Sequence, residues 1–162
     1  MSVPNPQPAA APAGQLVEHL VTTYRALEHA AGVAGALMAD DLSGYVIGWD
    51  VAIAIARAKT DLRNLVTAHN LSRLHAFWTA LTPTTTAHIA GDRLAALHRH
   101  LAAAYGPLCC AASAAERLVQ TDHSYGAIGW DLEIAVDDVM IDVRDAARAA
   151  GLHDHPYWAA RL

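Results

Sequence analysis

The sequence predicts an all-α protein, a four-helix bundle built from two tandem helical hairpins of which the second is a copy of the first. Three observations carry that reading. Apolar residues recur at steps of three and four, and no run of alternating β-branched residues announces a strand. The chain also aligns with itself at an offset of 81 residues, Leu16–Leu71 on Leu97–Leu152 without a gap, with 21 identities in 56 positions. The Ile-Gly-Trp-Asp block at 47–50 returns at 128–131, which alanine-rich composition does not produce by itself. A chain of 162 residues has room for one ordinary core, and a hairpin alone has no second layer to bury its stripe against. The expected organisation is an arm at 1–14 and a single domain at 15–162, with repeat 1 at about 15–81 and repeat 2 at about 82–162.

Each element has its own signal. The arm carries four prolines and no charged side chain, so it is read as a disordered, polyproline-like segment without the basic start of a signal peptide. From Gly14 to Met38 the shared positions 16, 20, 24, 27, 31 and 34 trace one helical face close to a heptad seam. Ser43 and Ser124 stand where an N-cap belongs. The next helix is expected to run to about Asn70, and its counterpart to about Ala150 with Gly151 as a C-terminal stop. Shared positions 47, 50, 54, 61 and 68 mark its expected inward stripe. Thr82 to Thr86 is a break between the halves. Each half closes on His-x-aromatic-Trp, at His75–Trp78 and His155–Trp158, aromatics expected to fold back over the bundle end.

Composition excludes several function classes. A 54% hydrophobic chain is not disordered as a whole, and its single lysine against ten arginines points to a high-GC bacterial genome. A net charge of −5 with scattered arginines gives no basic field for DNA or RNA. The longest uncharged central run, Leu101–Ala115, is too short and too poor in large apolar residues for a membrane span, so a soluble cytoplasmic protein is expected. Cys109 and Cys110 are adjacent, which in a helix forbids an unstrained disulfide between them, and they are read as small core residues in a reducing compartment.

The candidate site residues come from the repeat. Small residues at 30–36 leave room, in an antiparallel hairpin, for close approach at Gly48 and for Trp49, with Trp130 alike. Asp50 and Asp131 fall on the expected inward stripe, where a carboxylate needs a hydrogen-bonding partner or faces a cavity. His19, Tyr24, Asp61 and Arg63 recur as His100, Tyr105, Asp142 and Arg144. If the helices run up-down-up-down, both sets come to one level and form a polar ligand site. A metal has weaker candidates in Glu28 and His29, which align with Cys109 and Cys110, and in the tail around His153 and His155; no recognised ligand spacing supports either. The crowd of carboxylates from Asp131 to Asp145 reads as a solvated face.

No nucleophile elbow, phosphate loop or His-Glu-x-x-His motif is present, and no cofactor is identified. The leading expectation is a non-catalytic scaffold or protein-interaction module, self-associating. The alternative is a bundle that binds a small molecule or metal, with or without catalysis, at the repeated His/Tyr/Asp level.

Overall fold

The computed structural model describes residues 12–68, 92–121 and 126–162, and among them it is all-helical. Four long helices make the bundle: α1 (Pro12–Met38), α2 (Leu42–Ala68), α3 (Arg93–Thr121) and α4 (Gly126–Ala149). A 3-10 turn (Leu152–Asp154) and a one-turn helix α5 (Pro156–Ala159) follow. Most of the expected arm, the expected cap Ser124, and the segment with Asn70, Phe77–Trp78 and Thr82 lie outside the described residues. Residues 12–14 open α1 rather than close the arm.

Local chemistry sets the helix ends. The α2 cap is Asp41, whose Oδ1 accepts from the Gly44 amide at 2.6 Å, and not Ser43 as expected. Asp reaches the third amide of the first turn, and its charge also suits the positive end of the helix dipole. Asp92 caps α3 in the same way, accepting from the Ala95 amide at 3.1 Å. At the far end of α1, Arg93 donates to the Ala36 carbonyl at 2.6 Å and pairs with Asp40, satisfying a carbonyl the helix itself leaves open. Gly151 ends the last long helix with φ +72°, the left-handed conformation a glycine adopts without a Cβ penalty.

Side-chain contacts fix the direction of each helix. Gln15 meets Arg117, Thr23 meets Ala104 and Ala36 meets Arg93, so α3 runs antiparallel to α1. Glu28 pairs with Lys59, and Gly44 lies against Leu37, so α2 is antiparallel to α1 as well. With α3 and α4 joined as the second hairpin, the order is up-down-down-up, and the ring of neighbours runs α1, α2, α4, α3. An axis exchanging the halves would therefore cross the bundle, not run along it as the up-down-up-down expectation required. Positions 81 apart meet twice on that line: the buried Thr23 hydroxyl donates to the Ala104 carbonyl at 3.2 Å, and the Asp61 and Asp142 carboxyls come together. Three residues beyond Ala104, Pro107 sits inside α3 and cannot donate to the Ala103 carbonyl.

The core is leucine along α1 and α3 (Leu16, Leu20, Leu27, Leu97, Leu101, Leu108) and alanine wherever helices come close. The α1–α2 crossing is tightest at Gly44 and Gly48. A Cβ on Gly48 would stand 2.6 Å from the Ala34 carbonyl oxygen, and one on Gly44 2.7 Å from that of Leu37. Both obstacles are backbone, which cannot turn aside. Gly48→Ala is expected to lower stability by about 1–3 kcal/mol, overpacking outweighing the roughly 1 kcal/mol that alanine gains in helix propensity. Gly35→Ala, whose added methyl meets nothing within 4 Å, is expected to raise stability by up to about 1 kcal/mol. Urea denaturation of the pair separates the two effects; equal responses would contradict the close crossing.

Candidate functional site

Two seams run along α2 on opposite sides. Positions 44, 48, 51, 55, 58, 62 and 65 are buried against the bundle. Positions 42, 46, 49, 53, 56 and 60 follow the same three-four rhythm two residues out of step, about 200° round the helix, and every one is exposed. This outer seam reads Leu42, Val46, Trp49, Ile53, Ala56, Thr60, with Tyr45 beside it. Leu42 is 81% exposed and Trp49 52%, and the Tyr45 and Trp49 rings stack at 6.2 Å between centroids. Trp49 thus points away from the hairpin interior in which it was expected. The physical reason is the Gly48 contact itself: with Gly48 on the Ala34 backbone, the next side chain is turned about 100° outward.

The same face continues on α4. Ile134 and Ile141, counterparts of Ile53 and Thr60, are exposed, as are Asp137 and Asp138 between them. The Trp130 side chain lies outside the described residues. Asp50 and Asp131, expected on an inward stripe, are exposed in both halves. Water solvates them, so neither requires a buried partner.

Where α2 and α4 cross, the face dips into an open cleft of about 410 Å³ lined by Ile53, Ala56, Arg57, Thr60, Asp61 and Asp142. Asp142 and Thr23 are the buried polar side chains among the described residues. Two carboxyl groups can share a hydrogen bond only if one carries a proton. Burial, then the hydrogen bond and charge of Asp61, push the Asp142 carboxyl up to about 6, against the pull of Arg57. Arg57 stands 3.6 Å from Asp142 and 3.7 Å from Asp145, and Arg148 holds Asp145 at 2.9 Å.

The repeated His/Tyr/Asp level does not close into one site. Asp61 and Asp142 come together. Arg63 donates to the buried Tyr24 hydroxyl on one flank, with Lys59 5.3 Å from the ring centre, and Arg144 acts on the buried Tyr105 in the other half. His100 instead meets His29, ring centroids 5.3 Å apart, and its pKa is lowered by burial, by His29 and by Arg99. His19 is half-buried ten residues up α1 from His29, about 15 Å along the helix.

Metal ligands do not converge either. Glu28 is held by Lys59, and Cys109 lies nine residues beyond His100 along the antiparallel α3, about 13 Å away. Both cysteines, expected in the core, are free and exposed. Among the described residues no group of three or more His, Cys, Asp or Glu side chains could hold a metal ion.

One constellation is only half marked in the sequence, since His155 and Trp158 stand in the closing His-x-aromatic-Trp whereas His98 lies 60 positions from Trp158. Trp158, completely buried, donates its indole N–H to Nδ1 of His98 at 2.9 Å, and the His155 ring lies 3.8 Å from that of His98. The aromatic tail folds back over the bundle as expected of Tyr157 and Trp158. His153 and Asp154 stay on the surface, 3.6 Å apart.

Compared with known proteins, the chain matches no family model, no curated protein and no solved structure. No helix among the described residues is long and apolar enough to cross a membrane.

The Asp61–Asp142 pair has a definite sign in stability. The folded state binds the Asp142 proton more tightly than an unfolded chain, whose aspartate titrates near 3.8. That contribution is complete below the ordinary value and is lost as pH rises through about 6. Asp142→Asn keeps a hydrogen-bond donor for Asp61 at every pH. It is expected to raise Tm at neutral pH by on the order of 5 °C, since each tenfold gain in proton affinity is worth about 1.4 kcal/mol and each kcal/mol about 2–4 °C in a domain this size. Near pH 4 the gain should shrink toward zero; thermal melts across the series that show a constant difference would refute the shared proton.

Proposed function

We propose that this chain is a helical-bundle interaction module that self-associates through the outer face of α2 and α4. What supports the reading is the outer seam of α2, six successive heptad positions left in solvent, including Leu42, Val46, Trp49 and Ile53. An apolar row of this length on a surface helix is a knobs-into-holes half without its partner.

A second copy of the chain suits the face for two reasons. First, α4 presents related residues in an antiparallel neighbour, so the patch offers a twofold contact both of the surfaces that it needs. We read the halves as copies of one hairpin, and the residues that recur 81 positions apart support this in an unusual place. On α2 and α4, Ile53 and Ile134 are identical and exposed, as are Asp50 and Asp131, whereas the buried pairs of the same two helices, such as Val51 and Leu132 or Ile55 and Val136, differ. Second, the charges of the two helices differ. The α2 face carries Arg57 where the α4 face carries Asp138, and Asp131 and Asp137 are also exposed on α4. Laying α2 of one copy on α4 of the other puts the arginine-bearing surface on the acidic one and keeps two acidic helices apart.

Trp49→Asp is the test, because Trp49 is half-exposed and its loss opens no cavity in the core. The parent protein is expected to sediment as a dimer whose dissociation constant rises by at least about tenfold in the variant, with the far-ultraviolet helix signal unchanged. A parent chain that stays monomeric from micromolar to near-millimolar concentration overturns the self-association. If that monomer takes up a basic amphipathic peptide on this face, the partner is another protein.

A further inference from the structure

The C-terminal turn is held by a set of contacts that the interaction face does not use. Gly151 reverses the chain, its amide bonded to the Arg148 carbonyl at 2.9 Å, and His155 caps α5 by accepting the Tyr157 amide at Nδ1, 3.2 Å away. Pro156 begins α5 at the one position where a missing amide costs nothing. Trp158 then lies edge-on to Tyr105 of α3 at 5.5 Å and gives its indole proton to His98. Arg148 donates to the Leu162 carbonyl at 3.2 Å, and Arg161 covers the Tyr157 ring at 3.9 Å.

Those bonds dictate the state of both imidazoles. A ring nitrogen that accepts a hydrogen bond carries no proton, so His98 and His155 each bear theirs on Nε2 and are neutral in this arrangement. The same placement of protons leaves neither Nδ1 free to bind a metal. Protonating His98 at Nδ1 would set an N–H against the Trp158 N–H, and a second cation on His155 would stand 3.8 Å away. The remaining charged and titratable neighbours offer no relief: Arg99 follows His98 on α3, Tyr157 and Arg161 belong to the turn, Cys109 of α3 faces Tyr157 with its thiol pushed up by burial, and Arg144 and Asp137 of α4 act on Tyr105 behind it. Among the described residues no carboxylate lies within ion-pair distance of either histidine in this pair.

We propose that the segment from Gly151 to Leu162 is a latch, held shut by neutral His98 and released when His98 takes up a proton at Nδ1. Its release uncovers Trp158 and the Tyr105 surface of α3 while the four long helices stay packed. Consistent with that direction, burial first, then His155 and Arg99, lower the His98 pKa in the closed state. The closed state is therefore fully favoured above the ordinary histidine value of 6.5 and loses ground as pH falls below it.

Hydrogen exchange of the full chain tests this, read by mass spectrometry at about pH 7.5 and about pH 5 and corrected for intrinsic exchange. Amides of 152–162 are expected to lose at least about tenfold in protection at the lower pH, while those of α1 keep theirs. In His98→Asn the amide oxygen accepts from Trp158 without titrating, and the loss should disappear. Unchanged C-terminal protection in the parent chain overturns the proposal, as does an equal loss in His98→Asn. Parallel loss across α1 overturns it too, since the whole bundle would then be opening. The Trp158 indole resonance, identified with Trp158→Phe, follows the same bond directly.

Discussion

Two alanine-lined helices bury little area per residue unless their backbones come close, and α1 meets α2 and α3 on those terms. At the α2 crossing the approach leaves less than 3 Å between the Ala34 and Leu37 carbonyl oxygens and where a Cβ of Gly48 or Gly44 would stand. Along α3, Ala104 meets Thr23 of α1 through its carbonyl, and Ala104, Ala111 and Ala115 are completely buried. Dispersion falls steeply with separation, so close backbones recover contacts that small side chains cannot reach for themselves. The constraint also excludes. Once Gly48 touches the α1 backbone, an indole at position 49 has no interior space, and Trp49 joins Leu42, Tyr45, Val46 and Ile53 on the outer side of α2.

That exclusion explains what is legible in the sequence and what is hidden. Helix positions, the hairpin register, the Gly151 stop and the close approach at Gly48 all follow from local rules of periodicity and φ, and each reads directly from the residues. Trp49, Asp50 and Asp131 mislead because identity 81 positions apart marks the inward stripe on α1 and α3 but not on α2 and α4. The buried line of α2 is instead Val51, Ile55, Ala58 and Leu62, whose counterparts Leu132, Val136, Val139 and Val143 are buried and merely similar. Core positions accept any apolar side chain of suitable volume, so the buried line of α2 and that of α4 need not match, although along α1 and α3 buried residues 81 apart, such as Leu20 and Leu101, are identical. A position that keeps its identity while facing water has no packing reason to do so.

Long-range geometry is the less readable part. Whether α3 runs with or against α1 depends on contacts such as Thr23 with Ala104, which periodicity does not encode. The direction decides the site: an axis across the bundle brings Asp61 onto Asp142 but carries His19 and His100 to opposite sides of it. The polar set that reads as a single level in the sequence is thus split into a carboxyl pair, two Tyr–Arg flanks and an isolated histidine contact. His98 is invisible for the same reason, since nothing near it in sequence announces the tryptophan 60 positions on that it serves.

The bundle consequently has two layers with different tasks. The α2–α4 layer carries the outer apolar seam and, beneath it, a carboxyl pair that binds its proton more tightly in the fold than out of it. The α1–α3 layer carries the alanine crossing and receives the C-terminal turn on α3, where a histidine is kept neutral by the bond it accepts. Acid affects the two in opposite senses. Falling pH completes the bond between Asp61 and Asp142 and strengthens the crossing of α2 with α4, while it removes the acceptor on which Trp158 depends. Because the carboxyls join α2 to α4 at Asp61 and Asp142, away from the Arg148 end of α4 that holds Leu162, the turn can detach in mild acid from a bundle that is then more firmly closed at its middle.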